Sequence, residues 1–447
     1  MLIKIKKLLS HIKTSDVIFY VMAVAIFGYL SKYIFNIILA HYLKPSLYGD
    51  FNIAIRVLGV ITSFTLLGTN NSSKRFMSRY LRLHDHHSLQ NYIKWNINII
   101  RVSFSICIVV AITSYLIMHA LHIWHIKDIR TYHLTIYMLW IAPLASILSL
   151  LASYLLCADH PVFYKMISNM VYFLATCVFM IIVSTLNITF DSYSLISVLF
   201  ISFSILIFIV ILFIIKKMPY LFMTISNALR SKRSHSIQPD WVTVSVRMAA
   251  NGLISFIIFS LDLIIVEIVS PGEDSVGLYA AALTISSFLI IIPQNLYSLL
   301  TVQVSELFNT EEGKIKLEKK ISQLNKYSMI VTLLVGVGIY AFSKTLLRHF
   351  GLIYLQADPI LHILIIGFII NAYSQAATTV ITYAGYEKIM LTISIIQLVS
   401  LLVFCVIMTY FFGILGTAIA TSLTLVGKTI TCHLMAYRKT HIKTYLV

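Results

Sequence analysis

The chain has 447 residues, of which 59% are hydrophobic and 11% charged. Water-soluble domains carry about a quarter charged residues, so this composition excludes a soluble globule and requires a protein that lives in lipid. The formal net charge of +17 points to nucleic acid only if the cations form a binding face, and their distribution along the chain excludes that reading.

Residues 1–13 are basic and amphipathic, with Leu2, Ile3, Ile5, Leu8 and Leu9 set against Lys4, Lys6 and Lys7. The apolar run behind them lacks a small-residue cleavage site and reads as an uncleaved first span. A helix needs about 20 apolar residues to cross about 30 Å of hydrocarbon. Runs of that length occur at 17–40, 49–70, 95–119, 134–157, 163–186 and 193–215, then at 242–268, 277–304, 328–348, 360–384, 389–412 and 413–435. The short alternating segments of a membrane β-barrel do not occur. The expected fold class is therefore an all-α polytopic membrane protein of about twelve transmembrane helices.

Between the sixth and seventh runs the apolar sequence lets go, at Lys216-Lys217 and again from Ala228 to Asp240. This basic, turn-rich stretch divides the chain into an expected six-helix bundle at 1–215, a cytoplasmic connector at 216–241 and a second six-helix bundle at 242–447. An even span count puts both termini on one side. That side collects 24 of the 34 Lys and Arg residues, including Lys74, Arg75, Lys165, Lys216, Lys217, Lys314 and Lys388. The opposite side carries Lys44, Lys127, Arg130, Lys344 and Arg348. The positive-inside rule makes the termini and the connector cytoplasmic and accounts for the excess charge without nucleic acid. Cys107, Cys157, Cys177, Cys405 and Cys432 have no paired spacing and read as free thiols packed as small apolar residues.

Both halves begin their second span alike. Leu47-Tyr48-Gly49-Asp50-Phe51-Asn52-Ile53-Ala54 follows Pro45, and Val276-Gly277-Leu278-Tyr279-Ala280-Ala281-Ala282 follows Pro271-Gly272, with the same Gly-to-aromatic-to-Ala spacing. Each second span runs into an amphipathic loop, Ser72 to Lys94 and Glu306 to Lys326. Parallel repeats with an even number of spans are a transporter signature.

The stretch from Ile38 to Gly49 resembles the opening of the bacterial O-antigen and polysaccharide flippases, members of the multidrug/oligosaccharidyl-lipid/polysaccharide exporter superfamily. Asp262 through Ala282 resembles the start of their second half, and Gly413 through Thr421 the entry to their last span. The resemblance implies two six-helix bundles around a central cavity. It also implies a cargo of polyprenyl-pyrophosphate-linked oligosaccharide, an O-antigen, capsule or similar repeat unit, turned from the cytoplasmic to the outer leaflet by alternating access.

Five cations lie inside spans: Lys32, Arg56, Arg101, Arg247 and Lys428. Each costs about 2.5–3.5 kcal/mol at mid-membrane on insertion scales, which makes each a candidate for function. Arg101, Arg247 and Lys428 lie near the basic face, where snorkelling competes with a binding role. Lys32 lies eight residues before Ala40 and Arg56 eight after Tyr48, so both are expected roughly 12 Å below the opposite surface. Two cations at one depth repel unless they face water or share an anion.

Polar stripes at helical spacing accompany them: Gly28, Tyr29, Lys32 and Asn36; Gly49, Asn52, Arg56, Gly59 and Ser63; Arg247, Asn251, Ser255 and Asp262; and Ser287, Gln294, Ser298, Thr301 and Ser305, with Pro293 breaking its helix. For Ser and Thr alone the competing reading is interhelical glue. Together the stripes point to a water-filled cavity between the halves. The expected substrate contacts are Lys32, Arg56, Arg247, Arg101, Lys428, Asn52, Asn251 and Gln294, with Arg and Lys donating charge-assisted hydrogen bonds to pyrophosphate. Asp262 either binds a coupling proton or sodium ion or pairs with a cation.

His119, His122 and His125, and the run His84-Asp85-His86-His87, have no cysteine partners, and no metal or cofactor is expected. HExxH, GxSxG and Gly-rich phosphate loops are missing, so the sequence argues for a transporter and against an enzyme. The expected setting is the bacterial inner membrane, with the lipid-linked glycan as substrate and glycan polymerases as partners. One alternative is a multidrug/cation antiporter of the same superfamily, which would need more cavity acids than Asp262. Another is a membrane glycan polymerase or acyltransferase, which would need a long outer loop.

Overall fold

The computed structural model describes residues 14–123, 130–186, 192–230, 238–270, 272, 274–298, 300, 304, 307–308 and 310–445. Its regular structure is helical: α1 (Thr14–Tyr42), α2 (Pro45–Leu66), α3 (Thr69–Arg82), α4 (His86–Ile123), α5 (Arg130–Cys157), α6 (Pro161–Leu186), α7 (Ser192–Lys217), α8 (Pro219–Arg230), α9 (Pro239–Val269), α10 (Ser275–Ser286), α11 (Ile291–Ser298), α12 (Glu311–Ala341), α13 (Ser343–Arg348), α14 (Asp358–Tyr373), α15 (Gln375–Tyr383) and α16 (Glu387–Thr440). Helices α2, α6, α8 and α9 open on proline, whose missing N–H and fixed φ suit a first helical position. Helix α12 opens under Thr310, whose side chain accepts from the Gly313 N–H at 3.2 Å, with Glu311 and Glu312 against the positive end of the helix.

Among the described residues, eleven helical stretches are long and apolar enough to span a bilayer. The last, α16, has 54 residues, about 80 Å of helix, and breaks at Gly413 with φ 57° and ψ −146°, a conformation open to glycine. It therefore crosses twice, and the boundary expected at 412/413 falls at the break. The chain is an all-α, multi-pass membrane protein. Both loops expected to be merely amphipathic contain helix. Residues 72–94 form α3 and the first turns of α4, and α12 extends back to Glu311. The connector also departs from expectation. It contains α8, amphipathic because Leu221, Thr224 and Ala228 face the protein while Met223 and Leu229 face outward. Residues 231–237 lie outside the described part.

The helices form two compact units, residues 50–260 (the central unit) and residues 1–49 with 261–447 (the composite unit). These differ from the sequence halves by one helix each. In the central unit α9 runs antiparallel to α2, with Arg56 at Phe259, Gly59 at Phe256 and Gly68 at Ser245. A Cβ at Gly68 would stand 2.2 Å from the Ser245 carbonyl oxygen, so the two backbones touch. In the composite unit α1 pairs with the chain beginning at α10. The Tyr29 hydroxyl donates to the Thr284 carbonyl and meets Ser287 Oγ at 2.9 Å. A Cβ at Gly277 would stand 2.2 Å from the Pro45 carbonyl oxygen. The two Gly-aromatic motifs read from the sequence thus meet, Gly49 packing against Val276 and Gly277.

An aromatic box fastens the start of α9 to the central unit. Trp241, 1% exposed, stands edge-on to Tyr80 and Tyr92 and beside Trp95, and its Nε1–H donates to the Tyr80 hydroxyl at 2.9 Å. One turn on, Ser245 Oγ donates to Ser72 Oγ at 2.6 Å, which bonds the Tyr92 hydroxyl at 2.8 Å. In the composite unit residues 441–445 fold back from α16 at His441, which has φ 57°. Ile442 enters the cluster of Tyr297, Leu317, Ile321 and Val380, while the Thr444 carbonyl accepts from Asn325 Nδ2 at 2.7 Å.

Removing the Trp241 ring should cost about 3–5 kcal/mol, as large-to-small core substitutions do. Removing only its N–H should cost about 1 kcal/mol. Trp241→Ala is therefore expected to lower the thermal unfolding midpoint in detergent far more than Trp241→Phe; equal shifts would mean that the hydrogen bond and not the ring holds α9.

Candidate functional site

The central unit contains a cavity of about 360 Å³. It runs along α2 from Ile55 to Leu66, about 16 Å at the helical rise, and continues past Asn70 to Lys74 on α3. The facing wall comes from Ala145, Ser149 and Ser153 on α5 and Tyr164, Ser168 and Tyr172 on α6, and the sides from Phe203 of α7 and Phe256 of α9.

Those six wall positions are spaced four residues apart on their helices, which puts each set on one face. The same spacing, read across the fourth and fifth spans, was the signal that could have located this site from sequence. The stripes singled out on the first, seventh and eighth spans did not reach it. On α2 the expected stripe does contribute, through Gly59 and Ser63.

Most lining hydroxyls satisfy their protons on their own helices. Thr62 donates to the Leu58 carbonyl at 2.7 Å, Ser63 to Gly59 at 3.1 Å, Ser153 to Leu150 at 2.7 Å and Ser168 to Tyr164 at 2.9 Å. Asn70 Nδ2 donates to Ser149 Oγ at 3.2 Å. What these groups turn to the cavity is chiefly oxygen lone pairs. Lys74 Nζ sits 6.0 Å from the centre of the Tyr164 ring and donates to Asn71 Oδ1 at 3.1 Å. No carboxylate is among the described lining residues.

Of the expected contacts in the central unit, Arg56 is not among the cavity's lining residues. Its neighbour Ile55 lines the cavity, and its charge acts on the lining Tyr172. The guanidinium lies over the Phe259 ring at 4.3 Å and donates to the Phe259 carbonyl, so ring quadrupole and backbone dipole both hold it within the protein. Asn52 is half-buried one turn further along α2. Arg101 and Arg247 are exposed, and neither lines this cavity. Nothing is described of the Asn251 side chain.

In the composite unit Lys32 is half-buried on α1, and its carbonyl accepts from Asn36 Nδ2 at 2.8 Å. Asn36 Oδ1 accepts from the Tyr48 hydroxyl at 2.9 Å. Tyr29 and Asn36 of that stripe therefore act as interhelical glue. On the eighth span Gln294 is exposed, and Thr301 and Ser305 lie outside the described residues. Lys428 is half-buried, with its charge felt by Cys432 one turn on. Asp262, 4% exposed, accepts from the Tyr279 hydroxyl at Oδ2 (3.2 Å) and from the Leu263 N–H at Oδ1 (2.8 Å). The same Tyr279 hydroxyl meets Thr421 Oγ1 at 3.1 Å.

The histidine-rich turn has a structural part. Asp85 Oδ1 accepts from the Ser88 N–H at 3.0 Å, which caps α4 and holds this carboxyl below the usual range. The His86 ring packs on Tyr220 of α8. His125 lies outside the described residues.

The model of a family described as polysaccharide biosynthesis protein matches residues 16–305. No curated protein matches. Among solved structures, the chain is similar to a multidrug resistance MATE family transporter of the MOP superfamily in its inward-facing conformation, with TM-score 0.73, 15% identity, and coverage of 95% of this chain and 98% of that one. It is also similar to an outward-facing form, with TM-score 0.69, 15% identity and coverage of 95% and 96%. A third is a Vibrio cholerae MATE transporter, with TM-score 0.66, 15% identity and coverage of 94% and 95%. At these identities the likeness establishes the fold.

If the cavity is wet, cysteines placed at Ser63 and Ser168 in a background without the native cysteines should react with a small polar thiol reagent, whereas one at the fully buried Ser286 should not. Equal protection at all three would mean a dry void.

Proposed function

The chain belongs to the polysaccharide biosynthesis protein family, and from that premise we propose that it is a flippase. In this reading it carries a polyprenyl-pyrophosphate-linked oligosaccharide from the cytoplasmic to the outer leaflet by alternating access. The observation that carries it is the central unit's cavity, lined by hydroxyls, aromatic edges and one ammonium, with no acid among its described lining residues. A glycan offers many hydroxyl donors and its pyrophosphate offers anionic oxygens; a cationic drug would meet Lys74 with no carboxylate among the described lining residues to neutralise it.

Transport needs no covalent step, so no catalytic residue is assigned. Lys32 and Arg56 are proposed as pyrophosphate contacts during transit, with Asn52 beside Arg56. Arg247, Arg101, Lys428, Asn251 and Gln294 are proposed as secondary contacts. Asp262 is proposed as the site of the coupling proton or sodium ion, because its hydrogen-bond partners include a tyrosine hydroxyl that itself meets Thr421, an arrangement that tolerates gain and loss of a small cation. The excess of Lys and Arg on the face of the connector supports cytoplasmic termini in a bacterial inner membrane. Glycan polymerases that take up the flipped units are the proposed partners.

Arg56→Ala and Lys32→Ala should each lower surface polysaccharide about tenfold or more, the factor expected from losing one charge-assisted hydrogen bond. Both proteins should still insert, and lipid-linked repeat units should accumulate. Full export in both variants would remove the headgroup assignment. Asp262→Asn keeps the shape but not the charge, and its residual export should ignore collapse of the proton and sodium gradients. An unchanged response to ionophores would assign Asp262 to packing.

A further inference from the structure

Helix α8 leaves part of its surface uncovered, and that surface is ordered. At 3.6 residues per turn each residue advances about 100° around the axis, which sorts the helix into three arcs. Thr224, Ala228 and Leu221 share an arc of about 60° and are buried, on the side where α8 packs with α4. Ile225, Leu229 and Phe222 fill the next arc of about 60°, where Ile225 is half-buried and Leu229 and Phe222 are exposed. Ser226, Arg230, Asn227 and Tyr220 occupy the rest of the circle, with Pro219 and Met223 between them. A helix resting on a protein in water needs two faces, one covered and one solvated. A third, apolar face set beside the polar one is the pattern of a helix lying in a membrane interface, with acyl chains on one side and water on the other.

Cations stand at both ends of this helix. Lys216 and Lys217 close α7, separated from Pro219 by Met218 alone, and Arg230 is the last residue of α8, about 18 Å further along at the helical rise. All three are exposed, and no Asp or Glu occurs between 216 and 239. Among the described residues none of the three makes an ion pair. The positive-inside rule accounts for the sign of this face, but not for cations that bracket one helix beside an apolar arc. A soluble anion would match the charges and leave Phe222 and Leu229 in water. A neutral lipid would cover the apolar arc and leave the charges unmatched. A phospholipid of net negative charge satisfies both.

We propose that α8 is an interfacial helix that binds anionic phospholipid. Lys216 and Lys217 at one end and Arg230 at the other hold headgroups, while Ile225, Phe222 and Leu229 lie against acyl chains. None of these residues lines the cavity, so the site is independent of the cargo and stands or falls apart from the flippase reading.

The test uses the full chain without its native cysteines, carrying Leu229→Cys or Asn227→Cys labelled with bimane, in nanodiscs of phosphatidylcholine. Quenching is followed as phosphatidylglycerol or phosphatidylcholine, each spin-labelled high on an acyl chain, is added. The label at 229 should be half-quenched at about one tenth or less of the concentration with phosphatidylglycerol, the factor expected from two or three cations near the surface. The label at 227 should respond instead to aqueous iodide. Joint replacement by Lys216→Gln, Lys217→Gln and Arg230→Gln should bring the two lipids level. Lys216→Gln alone, a change of one exposed charge, should lower the preference about fivefold and carries the test if the triple variant does not fold. The same loss of charge at the exposed Lys316, Lys319 and Lys326 of α12 should leave the preference intact. Equal quenching by both lipids in the unaltered chain, or a preference indifferent to these α7 and α8 substitutions, overturns the proposal. So does a label at 229 that neither lipid quenches, because protein would then cover the apolar arc. Loss of the preference in excess inorganic phosphate also overturns it, since the cations would then form a site for a soluble anion.

Discussion

Hydrocarbon offers no hydrogen-bond partner, and every polar side chain within a span must find one in the protein or in water. That constraint sorts the many hydroxyls of this chain into two sets. One set closes on neighbouring helices: Tyr29 on Thr284 and Ser287, Tyr48 on Asn36, Asn96 on Tyr154, Thr409 on Thr417. The other closes on its own helix and turns lone pairs inward, as Thr62, Ser63, Ser153 and Ser168 do around the central unit's cavity. The first set holds the helices together. The second forms a polar interior that the fold alone does not require.

The pairing of helices follows from small residues at the contacts. Gly68 lets the α2 backbone reach α9, and Gly277 lets the start of α10 reach the Pro45 turn. These are the same relation repeated: the second span of one half beside the first span of the other. A repeat whose first helix packs with the opposite half gives two compact units of six spans each, with boundaries at 49/50 and 260/261 and not at the connector. Trp241, buried among Tyr80, Tyr92 and Trp95, anchors α9 in the unit that sequence order would not have given it.

Span count and helical class were legible because 20-residue apolar runs have one stable solution in a bilayer. Even the break at Gly413 stood at the expected boundary. Other features were hidden for physical reasons. Ser72–Lys94 reads as a loop because its hydropathy is low, yet its hydrophobic face supports α3 and the first turns of α4. The connector reads as structureless although Leu221, Thr224 and Ala228 are spaced to bury one side of a helix. The cationic residues stood out because charge is costly in lipid, although Arg56 is not among the cavity's lining residues. The cavity's own walls did not stand out, since Ser149, Ser153 and Ser168 cost little in a span and their shared face appears only when α5 and α6 are read together. Tyr29 and Asn36 misled in the other direction, because a polar stripe looks the same whether it faces water or a partner helix.

Taken together, a cavity rich in acceptors, with Lys74 among its lining residues and no carboxylate among those described, suits a molecule that is neutral and hydroxylated along its length and anionic at one point. A glycan on a pyrophosphate carrier is such a molecule. The most direct measurement is reconstitution of the purified chain in liposomes carrying a labelled polyprenyl-pyrophosphate disaccharide, with an impermeant lectin reporting the fraction exposed in the outer leaflet. The account predicts that exposure rises with protein and with an imposed proton or sodium gradient. Unchanged leaflet exposure, with efflux of a cationic dye from the same vesicles, would contradict it.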